Sequence, residues 1–183
     1  MKRQVKILGL SYSQSQIGSY VCVLSEQRGT RKLPIIVKPH DAQVIALSVE
    51  GMRSPRPLTH ELLKETCDAF QMDCQEVEIY KVLEGIFYAR ITISNGFDSV
   101  SIESTAGDAI ALSEIFECPL FVQEEVINMC GVDMDDEGNI SEESSQGNVM
   151  KVEDLEKLME QAIANEDYEM AAELRDKINE IKE

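Results

Sequence analysis

Lys32-Leu33-Pro34-Ile35-Ile36-Val37, followed by Asp41-Ala42-Gln43-Val44-Ile45-Ala46-Leu47-Ser48, decides the fold class. The first run is short, apolar and bounded by turn residues, as a strand is. In the second, the apolar positions move to 42, 45 and 46, which is helical spacing, and Gly51 closes it as a C-terminal glycine. Working back, Val5–Leu10 and Ser19–Leu24 alternate like half-buried strands, with Arg28-Gly29-Thr30 as a turn. Working forward, Arg53-Ser54-Pro55-Arg56-Pro57 is an extended connection, because each proline restrains the residue before it. Thr59 can then cap a helix from about His60 to Phe70. Strands follow at Glu76–Leu83, Ile86–Ser94 and Ser99–Glu103. Glu84-Gly85 and Asn95-Gly96 separate them, Asn-Gly being the stronger hairpin signal. Gly107–Ser113 starts another helix, Pro119–Val122 is a short strand, and Glu124–Cys130 ends the segment with a helical turn or two. The expected class is α+β, strands with packed helices. Asp108-Ala109-Ile110-Ala111-Leu112 echoes Asp41-Ala42-x-x-Ile45-Ala46-Leu47, which suggests a duplicated strand–helix unit.

Charge divides the chain further. The 183 residues carry 34 Asp and Glu against 17 Lys and Arg, a net −17. A field of that sign repels nucleic acid. Its distribution is uneven: residues 1–132 hold 17 acids and 12 bases, and residues 133–183 hold 17 acids and 5 bases. The acidity is therefore mostly a property of the last quarter. Residues 28–56 contain Arg28, Arg31, Lys32, Lys38, Arg53 and Arg56 against Asp41 and Glu50. These cations either guard strand edges or face phosphate. Residues 133–148 are acidic and rich in Ser and Gly, a composition that buries too little to order itself, so a flexible linker is expected there. Residues 149–183 carry apolar stripes at Val152, Leu155, Met159, Ala162 and Ile163, and at Tyr168, Ala171, Leu174, Ile178 and Ile181. That spacing predicts an α-helical hairpin that pairs with another hairpin or with a partner. Five unpaired cysteines, without metal-ligand spacing, indicate reduced thiols in a cytoplasmic protein. The N-terminus lacks the apolar stretch of a secretory signal, and no run approaches the roughly 18 apolar residues of a membrane span.

Several stretches together carry a family resemblance: Leu33-Pro34-Ile35, Asp41-Ala42, Ile45-Ala46, Pro55-Arg56-Pro57-Leu58-Thr59-His60-Glu61-Leu62-Leu63, Gly85-Ile86-Phe87-Tyr88-Ala89, Gly107-Asp108-Ala109-Ile110-Ala111-Leu112 and Pro119-Leu120-Phe121-Val122. Over about residues 3–132 the chain resembles the bifunctional nuclease (DNase–RNase) domain. Residues 149–183 resemble the UVR motif, a protein–protein contact in nucleotide-excision-repair subunits. The resemblance implies a mixed α+β domain in which a curved, mostly antiparallel sheet wraps around packed helices, often oligomeric, with activity on DNA and RNA. It marks Asp41, Arg56, Thr59, His60, Glu61 and Asp108 as motif positions. One departure stands out: where the family usually has Arg-Pro-Ser before the Asp of the last helix, this chain has Thr105-Ala106-Gly107. An anion-binding guanidinium is missing there.

Phosphodiester hydrolysis needs an activated water, stabilised transition-state charge and a protonated leaving group. Asp41, Glu61, Glu103 and Asp108 could hold Mg²⁺ or Mn²⁺, and no organic cofactor is implied. His60, Glu61, Asp108 and Arg56 are the candidate catalytic residues. Arg28, Arg31, Lys32, Lys38, Arg53 and Thr59 are the candidate substrate contacts. Each has a structural alternative: helix capping for Asp41, Asp108 and Thr59, an internal salt bridge for Arg56, a hydrogen-bonded packing role for His60. Two functions follow. One is a metal-assisted nuclease of low sequence specificity on DNA and RNA, with a hairpin that recruits a protein. The other is a non-catalytic homo-oligomeric scaffold whose working end is the hairpin.

Overall fold

A computed structural model describes residues 1–133 except 14, 15 and 17. The expected linker at 133–148 lies, but for its first residue, outside the described residues, and the hairpin at 149–183 lies wholly outside them. Three antiparallel strands open the chain: β1 (Lys2–Tyr12), β2 (Tyr20–Glu26) and β3 (Arg31–Val37). Helices α1 (Pro39–Val49) and α2 (Thr59–Ala69) follow. A second antiparallel meander comprises β4 (Asp73–Leu83), β5 (Ile86–Ser94) and β6 (Ser99–Thr105), and leads into α3 (Ala106–Ile115). β7 (Leu120–Gln123), α4 (Glu124–Cys130) and the two-residue β8 (Val132–Asp133) complete the described part.

The eight strands form one sheet in the order β6-β5-β4-β7-β1-β2-β3-β8. Among the described strands only β4 and β7 pair in parallel. β7 thus joins the two meanders, and each meander is followed by a helix that packs on the other, α1 against α3. The duplicated order anticipated from the Asp-Ala echo is present. The two helices also start alike: Lys38 and Thr105 are the N-caps, and Asp41 and Asp108 stand three residues later in each. Ala42 and Ala109, next in line, are both buried.

The core is made by strict alternation. Cys22 and Leu24 on β2, Leu33, Ile35 and Val37 on β3, and Val77 and Ile79 on β4 face inward. α3 departs from an amphipathic pattern because it touches β3, β4, β5, α1 and α2 at once. Seven of its residues are buried, so it has almost no polar face. Its one buried hydroxyl, Ser113, donates to the Ile110 carbonyl at 2.7 Å. Burial of Ile110 and Leu112 contributes about 2 kcal/mol each. Glu78, between Val77 and Ile79, is a charged residue buried on the opposite face of the sheet. Its carboxylate accepts from Arg90 Nη2 at 2.6 Å and from Gln123 Nε2 at 2.5 Å.

Two local expectations need correction. Thr59 does not cap α2. Leu58 occupies the cap, and its backbone N–H donates to Glu61 Oε2 at 2.7 Å. The Glu61 carboxylate does the capping instead, so the helix starts one residue earlier. The turns also exchange roles. Glu84-Gly85, with φ 52° and 77°, makes the tight two-residue connection between Leu83 and Ile86. Asn95-Gly96 lies in a four-residue loop between Ser94 and Ser99. There Asn95 Oδ1 accepts from Phe97 N at 3.0 Å and Asp98 N at 2.8 Å, and this side-chain turn displaces the tighter one.

Candidate functional site

The N-terminal turns of α1, α2 and α3 bring Asp41, His60 and Asp108 together. One ligand atom from each lies within 4.8 Å of the others. Asp41 and Asp108 arrive from equivalent positions of the two repeats, and His60 comes from the second position of α2. The extended Pro55–Leu58 connection delivers that helix. His60 Nε2 is 3.1 Å from Asp108 Oδ1. The other carboxylate oxygen of Asp108 accepts from the Thr105 hydroxyl at 2.7 Å. His40 stacks on His60 with ring centroids 5.4 Å apart, and its Nδ1 lies 3.9 Å from Asp41 Oδ1.

The site is enclosed on one side and open on the other. Asp41 and His60 are each 5% exposed, whereas the Asp108 side chain is 43% exposed. Burial, reinforced by the charge of Asp108, pushes the Asp41 carboxyl above the usual carboxylate range, against the pull of His60, Lys38 and His40. Burial also acts to raise Asp108, but hydrogen bonds from Thr105 and His60 outweigh it and hold that carboxyl below the usual range. Two neighbouring carboxyls thus diverge in acidity. Among the described residues His60 Nδ1 has no hydrogen-bond partner, although it is fully buried.

The remaining candidates are distributed differently. Lys38 caps α1 beside the cluster and acts electrostatically on both aspartates. Arg28, Arg31 and Lys32 lie at the opposite end of β3, about 20 Å away at the rise of a strand. Arg31 is engaged there with Glu26 at 3.2 Å and with Asn128, and Lys32 is buried. The basic segment is therefore split in two. Arg56 is exposed on the connection into α2 and Thr59 is exposed at the first residue of that helix; Arg56 makes no ion pair among the described residues. Arg53 and Glu61 instead line a groove between α1, α2 and the end of α3, together with Leu47, Met52, Leu58 and Lys64. Glu103 accepts from the Tyr80 hydroxyl at 2.7 Å, outside the three-residue cluster.

Sequence reasoning marked Thr105 and Gly107 only as a departure from the family pattern, without their contacts to Asp108 and Asp41, and gave His40 no role. Thr105-x-x-Asp108 is a capping-box pattern and could have flagged the first. Gly107 and His40 are defined only by contacts across the fold.

Comparison with known proteins places the chain. The sequence profile of the bifunctional nuclease domain matches residues 22–135. That of the UvrB/uvrC motif matches residues 151–183. An uncharacterized protein of Mycobacterium tuberculosis is 31% identical over 136 residues, covering 74% of this chain and 80% of its own length. Bifunctional nucleases 1 and 2 of Arabidopsis thaliana are 25% and 23% identical, over 87% of this chain and 55% of theirs. The three helix starts that assemble Asp41, His60 and Asp108 all fall inside the matched region, and the chain belongs to the bifunctional nuclease domain family.

Proposed function

We propose that the protein hydrolyses phosphodiester bonds of DNA and RNA with low sequence specificity, at the Asp41–His60–Asp108 cluster. The observation that carries this reading is the convergence of an imidazole and two carboxylates of unequal acidity, from three separate helix starts. Pairs of titratable groups pushed apart by their surroundings mark acid and base roles. Asp108, held ionised, fixes the His60 ring through Nε2. Asp41, which keeps its proton more readily in the metal-free protein, would release it on taking up a cation. Lys38 adds positive charge where a phosphate would approach, from the open Asp108 side.

The same donors fit a divalent cation. His60 Nε2 faces Asp108, and the ring's second nitrogen, Nδ1, is buried and uncommitted among the described residues. An imidazole with two carboxylates suits Mn²⁺ better than Mg²⁺, which prefers oxygen ligands and keeps its waters. Asp41, His60 and Asp108 would hold the ion, which would acidify a bound water and neutralise phosphate charge. The segment matching the UvrB/uvrC motif would supply a protein contact, separate from this chemistry.

The deciding experiment is a Mn²⁺ and Mg²⁺ titration of cleavage of single-stranded DNA and RNA by the purified protein, with His60→Ala and Asp108→Ala alongside. Cleavage should require the cation and fall at least 100-fold in each variant. Equal residual activity in wild type and variants would assign the cleavage to a contaminant and leave a scaffold. Deleting residues 148–183 should abolish capture of the partner and spare cleavage.

A further inference from the structure

The five cysteines are all described and all free. Two of them meet. Cys118 Sγ lies 3.4 Å from Cys74 Sγ, although 44 residues separate them in sequence. The fold fixes this approach. Cys74 is the second residue of β4, and Cys118 sits in the turn between α3 and β7, two residues before the parallel β4–β7 ladder. Val77 N donates to the Pro119 carbonyl at 3.0 Å, and Cys118 N to the Ser113 carbonyl at 3.0 Å. Both sulfurs are thus anchored by backbone on either side. Their separation exceeds a disulfide bond by only about 1.4 Å, within reach of side-chain rotation.

We propose that Cys74 and Cys118 form a redox-active dithiol that a small hydroperoxide converts to an intramolecular disulfide. Cys74 is the attacking group. The Cys118 S–H donates to its sulfur and holds the Cys74 thiol below its usual value despite burial. Cys118 is raised by the same contact, and Cys67 and Cys130 are raised by burial. Cys22 is pushed up by burial to about 12. Cys74 itself is 3% exposed, so a bulky oxidant is shut out. Hydrogen peroxide is scarcely larger than water and can enter past the partly exposed Cys118.

The chemistry balances. The Cys74 thiolate attacks one peroxide oxygen, the O–O bond breaks, and the departing hydroxide takes a proton to become water. Cys74 is then a sulfenic acid. The Cys118 sulfur attacks Cys74 Sγ, the S–O bond breaks, and the hydroxide leaves with the Cys118 proton as a second water. Two thiols lose two electrons and one peroxide gains them. The product closes a loop that contains β4, β5, β6 and α3, which restricts the unfolded chain and stabilises the fold.

The test uses the full chain with metal chelated, treated with a small excess of hydrogen peroxide and then alkylated under denaturing conditions. Two of the five thiols should be lost. A single peptide pair joining Cys74 to Cys118 should be found, dithiothreitol should reverse it, and the melting temperature of the oxidised protein should rise. In Cys118→Ser, the sulfenic acid at Cys74 should be trapped by dimedone. In Cys74→Ser, Cys118 should oxidise at least tenfold more slowly. Mapping the wild type needs no variant to fold. Recovery of Cys74 and Cys118 as alkylated thiols while another cysteine is oxidised, or a product that is only intermolecular, would overturn the proposal.

Discussion

The Asp41 carboxylate occupies the space that a side chain at residue 107 would need. A β-carbon added to Gly107 would overlap Asp41 Oδ2 and stand 3.2 Å from its Cγ. Gly107 lies in the first turn of α3, and its backbone conformation does not demand glycine. Its smallness lets the buried Asp41 carboxyl pack against the first turn of α3.

Gly107→Ala should therefore act on the site. Alanine gains about 1 kcal/mol of helix propensity over glycine. Overpacking a buried contact costs about 1–3 kcal/mol, and Asp41, 5% exposed, has little room to withdraw. The cost should win, so the melting temperature should fall by several degrees. Mn²⁺ affinity, read by electron paramagnetic resonance, should drop at least tenfold. A variant that melts higher and binds Mn²⁺ unchanged would show that the carboxylate is not seated by residue 107.

The unequal acidity of the two aspartates predicts opposite stability effects in metal-free protein. Asp41 is raised in the folded state, so its contribution is full at low pH and lost as pH rises through its folded value. Asp108 is lowered, so its contribution is present above the ordinary carboxylate range near ~4 and lost as pH falls through its folded value. At pH 7, Asp41→Asn should be more stable than wild type and Asp108→Asn less stable. The two should converge toward wild type on acidification. Urea denaturation with EDTA between pH 3 and 7 measures both. Equal destabilisation of the two variants at pH 7 would contradict the assignment.

How much of this was legible beforehand follows from the range of each interaction. The strand alternation, the Asp-Ala echo and the Gly51 stop depend on near neighbours, and residues 32–51 carry them openly. The choice of Asp41, His60 and Asp108 was likewise available from motif positions. Glu61 shared every sequence credential with them, yet its carboxylate turns back to the Leu58 N–H. A residue in a first helical turn can cap or can face the next helix, and only packing decides. The basic segment misled for a related reason: a strand separates charges that are close in sequence, and β3 sets Arg31 and Lys38 at opposite ends. The Cys74–Cys118 contact depends on a parallel strand pair with no local signature.

Glu61 supplies a control for the site. Removing its carboxylate should cost about 1 kcal/mol, the worth of a helix cap, because one N–H at the start of α2 loses its acceptor. Glu61→Ala should lower the melting temperature by a few degrees and leave Mn²⁺-dependent cleavage per folded molecule within about twofold of wild type. Asp108→Asn should instead lose at least 100-fold in cleavage rate per folded molecule, beyond its own loss of stability. A Glu61→Ala enzyme as inactive as Asp108→Asn would return Glu61 to the catalytic set.

The split basic segment gives the last prediction. Lys38 stands beside both aspartates, where a bound strand would run. Arg31 is already satisfied by Glu26 and Asn128 at the far end of β3. Each phosphate contact on a single strand contributes about 0.7 to the slope of log affinity against log salt. Lys38→Ala should thus weaken oligonucleotide binding and reduce that slope by about 0.7, without preference for sequence. Arg31→Ala should leave affinity and slope unchanged and lower stability modestly, since its pair with Glu26 is only partly exposed. Fluorescence anisotropy of a labelled single strand between 50 and 200 mM salt, about the range over which such contacts are resolved, separates the two. A slope that moves with Arg31 and not with Lys38 would place the substrate at the opposite end of the strand, away from the three-residue cluster.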